Sequence, residues 1–302
     1  LEFRRVLFRS LKMALPLYGL SLLLLAAVFV VGTASHGQKR WIYIGSIGFQ
    51  PSEFAKFVLI IFLASICGAA GSMMKKWKGI LLVFLWMMPV AGMVMVTNLS
   101  TGIIIMGIAF IIIFTASRQW LPFFVLMGLG GGFMGIFLKL ASYRLGRIEA
   151  WLNVETHPKG YQTRQSLYAI GSGGLFGRGY GKSIQKLAYI PEAHNDMIFS
   201  VICEEWGLLG AGIIAALFIF LIWRCLITAN SAPDIPGALL TMGVTAHLGL
   251  QMLINIAVVT NSIPNTGIPL PFISYGGTSL IFLMCEIGIV QNIAQQGKTY
   301  IS

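Results

Sequence analysis

The sequence GILLVFLWMMPVAGMVMVTNLSTGIIIMGIAFIIIFTAS, residues 79–117, contains no Asp, Glu, Lys or Arg. About 20 apolar residues are enough for an α-helix to cross roughly 30 Å of hydrocarbon, so this stretch is too long for one span. Its middle, residues 98–102, is the polar break Asn-Leu-Ser-Thr-Gly. The stretch therefore predicts two consecutive membrane-spanning helices.

The rest of the chain has the same character. Of its 302 residues, 57% are hydrophobic and only 10% are charged, whereas ordinary globular chains carry about 25% charged residues. This composition excludes a soluble domain and predicts an all-α polytopic membrane protein with eight transmembrane helices. The six further spans are expected at residues 13–35, 53–74, 120–140, 197–227, 236–260 and 279–292. The four cysteines lack metal-ligand spacing and are expected to be free and buried.

Residues 1–10, LEFRRVLFRS, back-translate codon by codon into a widely used sequencing-adaptor sequence. We interpret them as an artefactual leader. Residues 11–302 are then expected to form a single polytopic membrane domain.

The orientation follows from the short basic loop at residues 75–78, because excess Lys and Arg in short loops stay in the cytoplasm. Both ends of the chain are then cytoplasmic, and residues 36–52, 143–194 and 261–277 form three outer loops. The long outer loop 143–194 is itself basic. Long loops cross membranes largely regardless of charge. Alternatively, the loop binds an anionic ligand, and the backbone N–H groups of its Gly-rich run, residues 171–181, approach phosphate oxygens.

Several ionisable residues lie where lipid disfavours them, and such residues are usually functional. Glu53 and Lys56 share a helix face and can pair, in a structural or a functional role. A structural network is favoured for Glu204 and Glu205. The other ionisable residues singled out are Glu286 within a span, Asp234 in an inner proline-containing turn where it is expected to cap a helix, and Asp196 where the long loop re-enters the membrane. Asp196 is the only outer aspartate, and its alternative role is also a helix cap.

A set of short motifs runs along the chain in a fixed order. They are KRWI at 39–42, QPSE at 50–53 with Lys56, YR at 143–144, RI at 147–148, GYQ at 160–162, QSL at 165–167, PEAHND at 191–196, EEWG at 204–207 and LPFISYGGTS at 270–279. Together they resemble the SEDS family (shape, elongation, division and sporulation), the polytopic peptidoglycan glycosyltransferases that include FtsW, SpoVE and RodA. The sequence around Asp196 is more similar to that of FtsW or SpoVE of Gram-positive lineages than to that of RodA.

The resemblance implies ten spans, so the first two family helices are expected to be missing from this sequence. It also implies polymerisation of lipid II at the outer face of the bacterial cytoplasmic membrane, with release of undecaprenyl diphosphate. Asp196 would be the catalytic base. The further residues implied to bind substrate are Arg40, Lys56, Arg144 and Arg147, as contacts of the diphosphate, and Glu53, Gln162 and Ser274. Asn98 stands where the family usually has Asp.

A divalent cation, Mg²⁺ or Mn²⁺, is expected to assist the leaving diphosphate. The implied partners are a class B penicillin-binding protein, other division or elongation proteins and the lipid bilayer, with no nucleic acid. The glycines between residues 128 and 135 could pack against the partner's helix or internally. Two functions of other classes remain open, a transporter of lipid-linked precursors and a cell-division scaffold.

Overall fold

The computed structural model describes residues 2–35, 38–45, 47–117, 119–120, 124, 128, 142–187 and 189–301. It contains long helices, a small sheet and several ordered loops. The helices are α1 Glu2–Val31, α2 Pro51–Ala70, α3 Trp77–Thr97, α4 Leu99–Ser117, α5 Ser142–Leu152, α6 Tyr161–Gly173, α7 Ile198–Asn230, α8 Ile235–Val259 and α9 Gly277–Ile301. Short 3-10 turns lie at Gly71–Lys75 and Pro158–Gly160.

Seven helices in the described part of the chain are long and apolar enough to cross a membrane. They are Met13–Val31, Pro51–Lys75, Trp77–Thr97, Leu99–Ser117, Ile198–Asn230, Ile235–Val259 and Gly277–Gly297. This confirms a helical, multi-span membrane protein. The eighth predicted span, residues 120–140, lies almost wholly outside the described residues, and so does the glycine surface proposed for packing against a partner.

The polar break at 98–102 is confirmed but is narrower than predicted. Asn98 alone separates α3 from α4. Its side-chain Oδ1 accepts a bond from the backbone N–H of Thr101 at 3.4 Å, so Asn98 caps α4. Asp234 caps α8 in the predicted way, since its Oδ1 accepts from the Gly237 N–H at 2.9 Å.

The prediction of a helical membrane protein is confirmed, and the described residues between 33 and 49 add a small sheet that was not predicted from the sequence. This antiparallel sheet comprises β1 Thr33–Ser35, β2 Gln38–Ile44 and β3 Ile47–Phe49, in the order β1-β2-β3. The sequence WIYI at 41–44 is rich in β-branched and aromatic residues, which favour strands. Gly45, with φ of 64°, then allows the tight connection from β2 to β3.

The helices and loops divide into two compact units. The first comprises Leu1–Phe123, Ile222–Leu250 and Gly277–Ser302, and the second comprises Phe124–Leu221 and Gln251–Gly276. In the first unit, Phe62 of α2 stacks on Tyr18 of α1 with ring centroids 4.1 Å apart. The sheet is joined to the start of α9 by a bond from the Thr278 hydroxyl to the Gly48 carbonyl, 2.9 Å.

The cysteines are free, as predicted. Cys67, Cys203 and Cys225 are buried, but Cys285 on α9 is exposed, contrary to the expectation that all four are buried. Cys285 therefore lies on the outward face of a helix that is long enough to cross a membrane.

Candidate functional site

Asp196 lies at the end of a series of turns that leads from the long loop into α7. The first helical residue is Ile198, and the residue directly before it is Met197, whose carbonyl accepts bonds from the backbone N–H and the hydroxyl of Ser200 at 3.0 and 2.7 Å. Asp196 lies two positions before this first helical residue. Its roles as helix cap and as catalytic base both stay predictions. Its side chain is half-buried.

The carboxylate of Asp196 is held by an amide from α6. Gln162 Nε2 donates to Asp196 Oδ1 at 3.3 Å and to the Pro191 carbonyl at 3.1 Å. Gln162 Oε1 accepts in turn from Asn265 Nδ2 at 3.1 Å. Gln162 was predicted to bind substrate. Both ends of its amide are engaged within the protein, where they orient Asp196, and its contact with substrate stays a prediction.

The backbone around Asp196 is fixed at three consecutive carbonyls. Each accepts one bond from residues that follow in the 251–276 segment. The His194 carbonyl accepts from the Tyr275 N–H at 2.9 Å, the Asn195 carbonyl from the Ser274 hydroxyl at 2.6 Å, and the Asp196 carbonyl from Asn255 Nδ2 at 2.7 Å. The peptide that carries the carboxylate is thereby held in one conformation.

Ser274, which was predicted to bind substrate, lies in the loop beside Asp196, and its contact with substrate stays a prediction. Its hydroxyl donates to the Asn195 carbonyl and accepts from the Leu270 N–H at 2.7 Å. Since its only proton is used in the first bond, Ser274 supports the loop beside Asp196.

Arg147 lies on α5 with an exposed side chain. Its Nη1 donates to the Asn265 carbonyl at 3.5 Å. The positive charge of Arg147 therefore lies beside Asn265, the residue that donates to Gln162. Trp151, one turn further along α5, fixes this helix by donating from Nε1 to the Asn261 carbonyl at 2.9 Å. Arg144 begins the same helix, but its side chain lies outside the described residues.

Glu53 and Lys56 form the predicted pair within α2, with Lys56 Nζ 2.9 Å from Glu53 Oε1. Both residues are deeply buried, at 5% and 2% exposure. In the same unit, His247 Nδ1 lies 2.9 Å from Glu286 Oε2, and these side chains are buried as well. Such burial supports the structural alternative for Glu53 and Lys56. A direct contact of Lys56 with a diphosphate stays a prediction.

Arg40 lies on β2 and donates from Nε to the Thr97 carbonyl at 3.2 Å. It is half-buried and lines a small recess together with Leu25, Val28, Ser52, Met93, Thr97 and Asn98. The guanidinium thus lies at the end of α3, beside the residue that caps α4. Its predicted contact with substrate remains untested.

Glu204 and Glu205 confirm the prediction of a structural network. Glu204 is fully buried and accepts from the Ser183 hydroxyl at 2.5 Å and from the N–H groups of Ile184 and Gln185 at 3.2 Å each. Glu205 accepts from the Gly181 N–H at 3.0 Å and pairs with Lys186 at 2.5 Å. Within the Gly-rich run, the N–H groups of Gly177, Arg178, Gly179 and Gly181 are bonded to carbonyls or a carboxylate of the protein itself, and these four are therefore not free to bind phosphate.

The Gly-rich run also packs on a kink of α7. Gly207 has φ of 68° inside the helix. This frees carbonyls before the kink and N–H groups after it, and the loop pairs with them. The bonds run from Arg178 N–H to Glu204 O at 2.9 Å, from Gly179 N–H to Glu205 O at 3.0 Å, from Leu208 N–H to Gly174 O at 2.9 Å and from Leu209 N–H to Leu175 O at 3.1 Å. The backbones approach so closely that a Cβ on Gly177 or Gly207 would overlap the facing chain.

Two residues of this site, Asn255 and Asn265, were not singled out from the sequence. Neither carries a charge, and the prediction from the sequence rested on ionisable side chains. The amides of Gln251 and Asn255, one turn apart in apolar α8, are the signal that could have found Asn255. Among the described residues, no group of three His, Cys, Asp or Glu side chains could hold a metal ion.

Comparisons with known proteins agree with this architecture. Over 289 residues the chain is 39% identical to stage V sporulation protein E of Bacillus subtilis (strain 168), covering 92% of this chain and 77% of the relative. Over 287 residues it is 39% identical to the probable peptidoglycan glycosyltransferase FtsW of Coxiella burnetii, covering 93% of this chain and 77% of the relative.

Solved structures show the same likeness. One is described as the structural coordination of polymerization and crosslinking by a peptidoglycan synthase complex. The match has a TM-score of 0.79 and 28% identity, and covers 96% of this chain and 82% of that chain. Another is the rod shape determining protein RodA of Thermus thermophilus, with a TM-score of 0.67, 29% identity, and coverage of 97% and 79%.

The family model for FtsW, RodA and SpoVE, described as cell cycle protein, matches residues 4–299. This match extends over nearly the whole chain, and two relatives at 39% identity agree with it. The chain therefore belongs to the FtsW/RodA/SpoVE family of cell cycle proteins.

Proposed function

We propose that this protein is a peptidoglycan glycosyltransferase that polymerises lipid II into glycan strands and releases undecaprenyl diphosphate. The observation that carries the proposal is the arrangement at Asp196, a half-buried carboxylate whose side chain and backbone are each held by amides. A preorganised single carboxylate suits a general base.

In this reaction Asp196 takes the proton of the 4-hydroxyl of the acceptor sugar. The hydroxyl oxygen forms the new bond to the anomeric carbon of the donor, and the bond from that carbon to the diphosphate breaks, with inversion. The leaving diphosphate keeps the electron pair. It is a good leaving group without a strong general acid, so one carboxylate is sufficient on the protein's side.

Space beside the carboxylate is provided by Gly267, which has φ of 64°. A Cβ at Gly267 would lie only 3.5 Å from Asp196 Oδ2. A larger side chain would therefore extend over this oxygen. Gln162 orients Oδ1, and Gly267 keeps a side chain away from Oδ2.

The diphosphate needs positive charge, and Arg40, Arg144 and Arg147 are the proposed contacts, with Lys56 as a further candidate. A divalent cation, Mg²⁺ or Mn²⁺, would add to them when bound. The described residues contain no three-residue cluster for a metal, so the substrate's own oxygens and water would supply most of the ligands. Addition of a chelator should abolish polymerisation and addition of Mg²⁺ or Mn²⁺ should restore it. Unchanged activity in the chelator would contradict the cation requirement.

The proposed site lies outside the cytoplasmic membrane, where the sugar units of the wall are joined. The basic residues 75–78 support this orientation, because they keep the loop between α2 and α3 in the cytoplasm. Both chain ends are then cytoplasmic as well.

The proposed partner is a class B penicillin-binding protein whose transpeptidase domain crosslinks the new strands. Support comes from the similar structure described as coordinating polymerization with crosslinking. Co-purification of the full-length protein from its own membranes should recover such a partner. Recovery of the protein without any penicillin-binding protein, under conditions that preserve membrane complexes, would contradict the pairing.

The test of the function is direct. Purified full-length protein with its partner is incubated with labelled lipid II, and glycan strands are separated by size. We expect polymer that is absent from the Asp196→Ala variant. Polymer from both proteins would refute the assigned site, whereas no polymer from either would favour a transporter or a scaffold.

A further inference from the structure

Asn255 is a buried amide in the part of α8 that faces the proposed site. It is 1% exposed, and its Nδ2 donates to two backbone carbonyls, that of Asp196 at 2.7 Å and that of Ile268 at 2.8 Å. The two carbonyls belong to separate segments, the turn before α7 and the loop 261–276. A single side chain therefore joins the peptide of the catalytic residue to the loop beside it.

The orientation of this amide is dictated by its partners. Two carbonyl oxygens require two donors, and only the NH₂ end of Asn supplies them. Asn255 Oδ1 is buried and has no hydrogen-bond partner among the described residues. An unsatisfied buried acceptor destabilises a folded protein. The protein tolerates this cost at a position where the amide's other end serves Asp196.

Gln251 provides an internal comparison. It lies one turn before Asn255 on α8, is equally buried, and its Nε2 donates to the Pro269 carbonyl at 3.0 Å. Gln251 thus binds the same loop through the next carbonyl. Of the two amides, it is Asn255 that donates to the Asp196 carbonyl.

We infer that Asn255 is a positioning residue for glycosyl transfer, which holds the Asp196 peptide at a fixed distance from the loop 261–276. This inference rests on the proposed function. Asn255 completes the series of bonds at the carbonyls of residues 194–196, and it is the one donor of that series that comes from a membrane-spanning helix. Displacement of a catalytic group by about 1 Å can lower a rate about a hundredfold.

The test compares Asn255→Leu with Gln251→Leu in the full-length protein. Each change replaces a buried amide by an apolar side chain, so both should lower the thermal midpoint of unfolding in detergent. We expect Asn255→Leu to lower kcat for lipid II polymerisation about tenfold or more, with KM changed less than about twofold. Gln251→Leu should keep kcat within about threefold.

Equal losses of kcat in the two variants, or wild-type kcat in Asn255→Leu, would overturn the inference, because both results describe a purely structural amide. If Asn255→Leu does not fold, Asn255→Ser takes its place, since its hydroxyl retains one of the two donors. A kcat at least about threefold below wild type at unchanged KM then supports positioning, and an unchanged kcat overturns it.

Failure of the proposed function gives a different pattern. In that case the wild-type protein makes no glycan, or Asp196→Asn polymerises like the wild type. The inference alone fails when the wild type is active and Asp196→Asn is inactive, but Asn255→Leu keeps the wild-type kcat.

Discussion

At the scale of single residues, the amide and carboxylate side chains in this molecule mostly bind backbone. Gln162, Asn255 and Ser274 each bind a carbonyl near Asp196, while Glu204 and Glu205 bind N–H groups of the Gly-rich loop. In these bonds the side chains take the place of water as hydrogen-bond partners of backbone groups that lie outside helices and strands. The side chains left to meet substrate are therefore fewer than the motifs suggest.

Asn98 gives a prediction at this scale. It caps α4 through its Oδ1, and Asn and Asp cap helices about equally well. The free energy of unfolding of Asn98→Asp should therefore lie within about 0.5 kcal/mol of the wild-type value, while that of Asn98→Ala should be lower by about 1 kcal/mol. Thermal unfolding in detergent measures both. A marked loss in Asn98→Asp would show that capping is not the role of this residue.

At the scale of elements, the lengths of the apolar stretches predicted the spans, because the thickness of the lipid bilayer sets the length of a helix that crosses it. The break between α3 and α4 followed from a local signal, a polar residue within an apolar run. The sheet at residues 33–49 did not, because its strands of three to seven residues carry too little periodicity to compete with a loop. The kink at Gly207 was also missed, since it depends on a loop that lies about 30 residues earlier in the sequence.

The kink yields a matched pair of variants on α7. Gly207 has a left-handed backbone and its Cβ would overlap backbone atoms of the Gly-rich loop, whereas Gly212 has open space around it. Gly207→Ala should destabilise the protein by about 2 kcal/mol or more. Gly212→Ala should be neutral or stabilise it by up to about 1 kcal/mol. Thermal unfolding of the two variants measures this difference. Equal stability of Gly207→Ala and Gly212→Ala would contradict the packing of the Gly-rich loop against the kink.

At the scale of the whole molecule, charge and hydropathy gave the class of protein, and the order of motifs gave its family, which the comparisons confirm. The candidate site was only partly predictable. Asp196 and Gln162 were identified because their motifs are specific. In the structure the two side chains are joined by a hydrogen bond. Asn255 and Asn265 were not, because an uncharged amide in a helix or loop gains its meaning only from the carbonyl or amide it meets in space.

Topology gives the prediction at this scale. Lys159 and Lys76 are both exposed, and the orientation places them on opposite sides of the membrane. In a Cys285→Ser background, a membrane-impermeant thiol reagent on intact cells should label a cysteine at position 159 and not one at position 76. The reverse pattern would contradict the orientation and with it the extracytoplasmic site.

The central claim is that Asp196 is the base for glycan polymerisation, and Asp196→Asn tests it most directly. An Asn side chain has the same shape and can still accept the bond from Gln162, but its amide does not take up a proton at neutral pH. The variant should insert and unfold like the wild type, while the rate of lipid II polymerisation by the full-length protein with its partner falls about a hundredfold or more. A variant that folds normally and retains most of the wild-type rate would show that Asp196 is structural and would contradict the account.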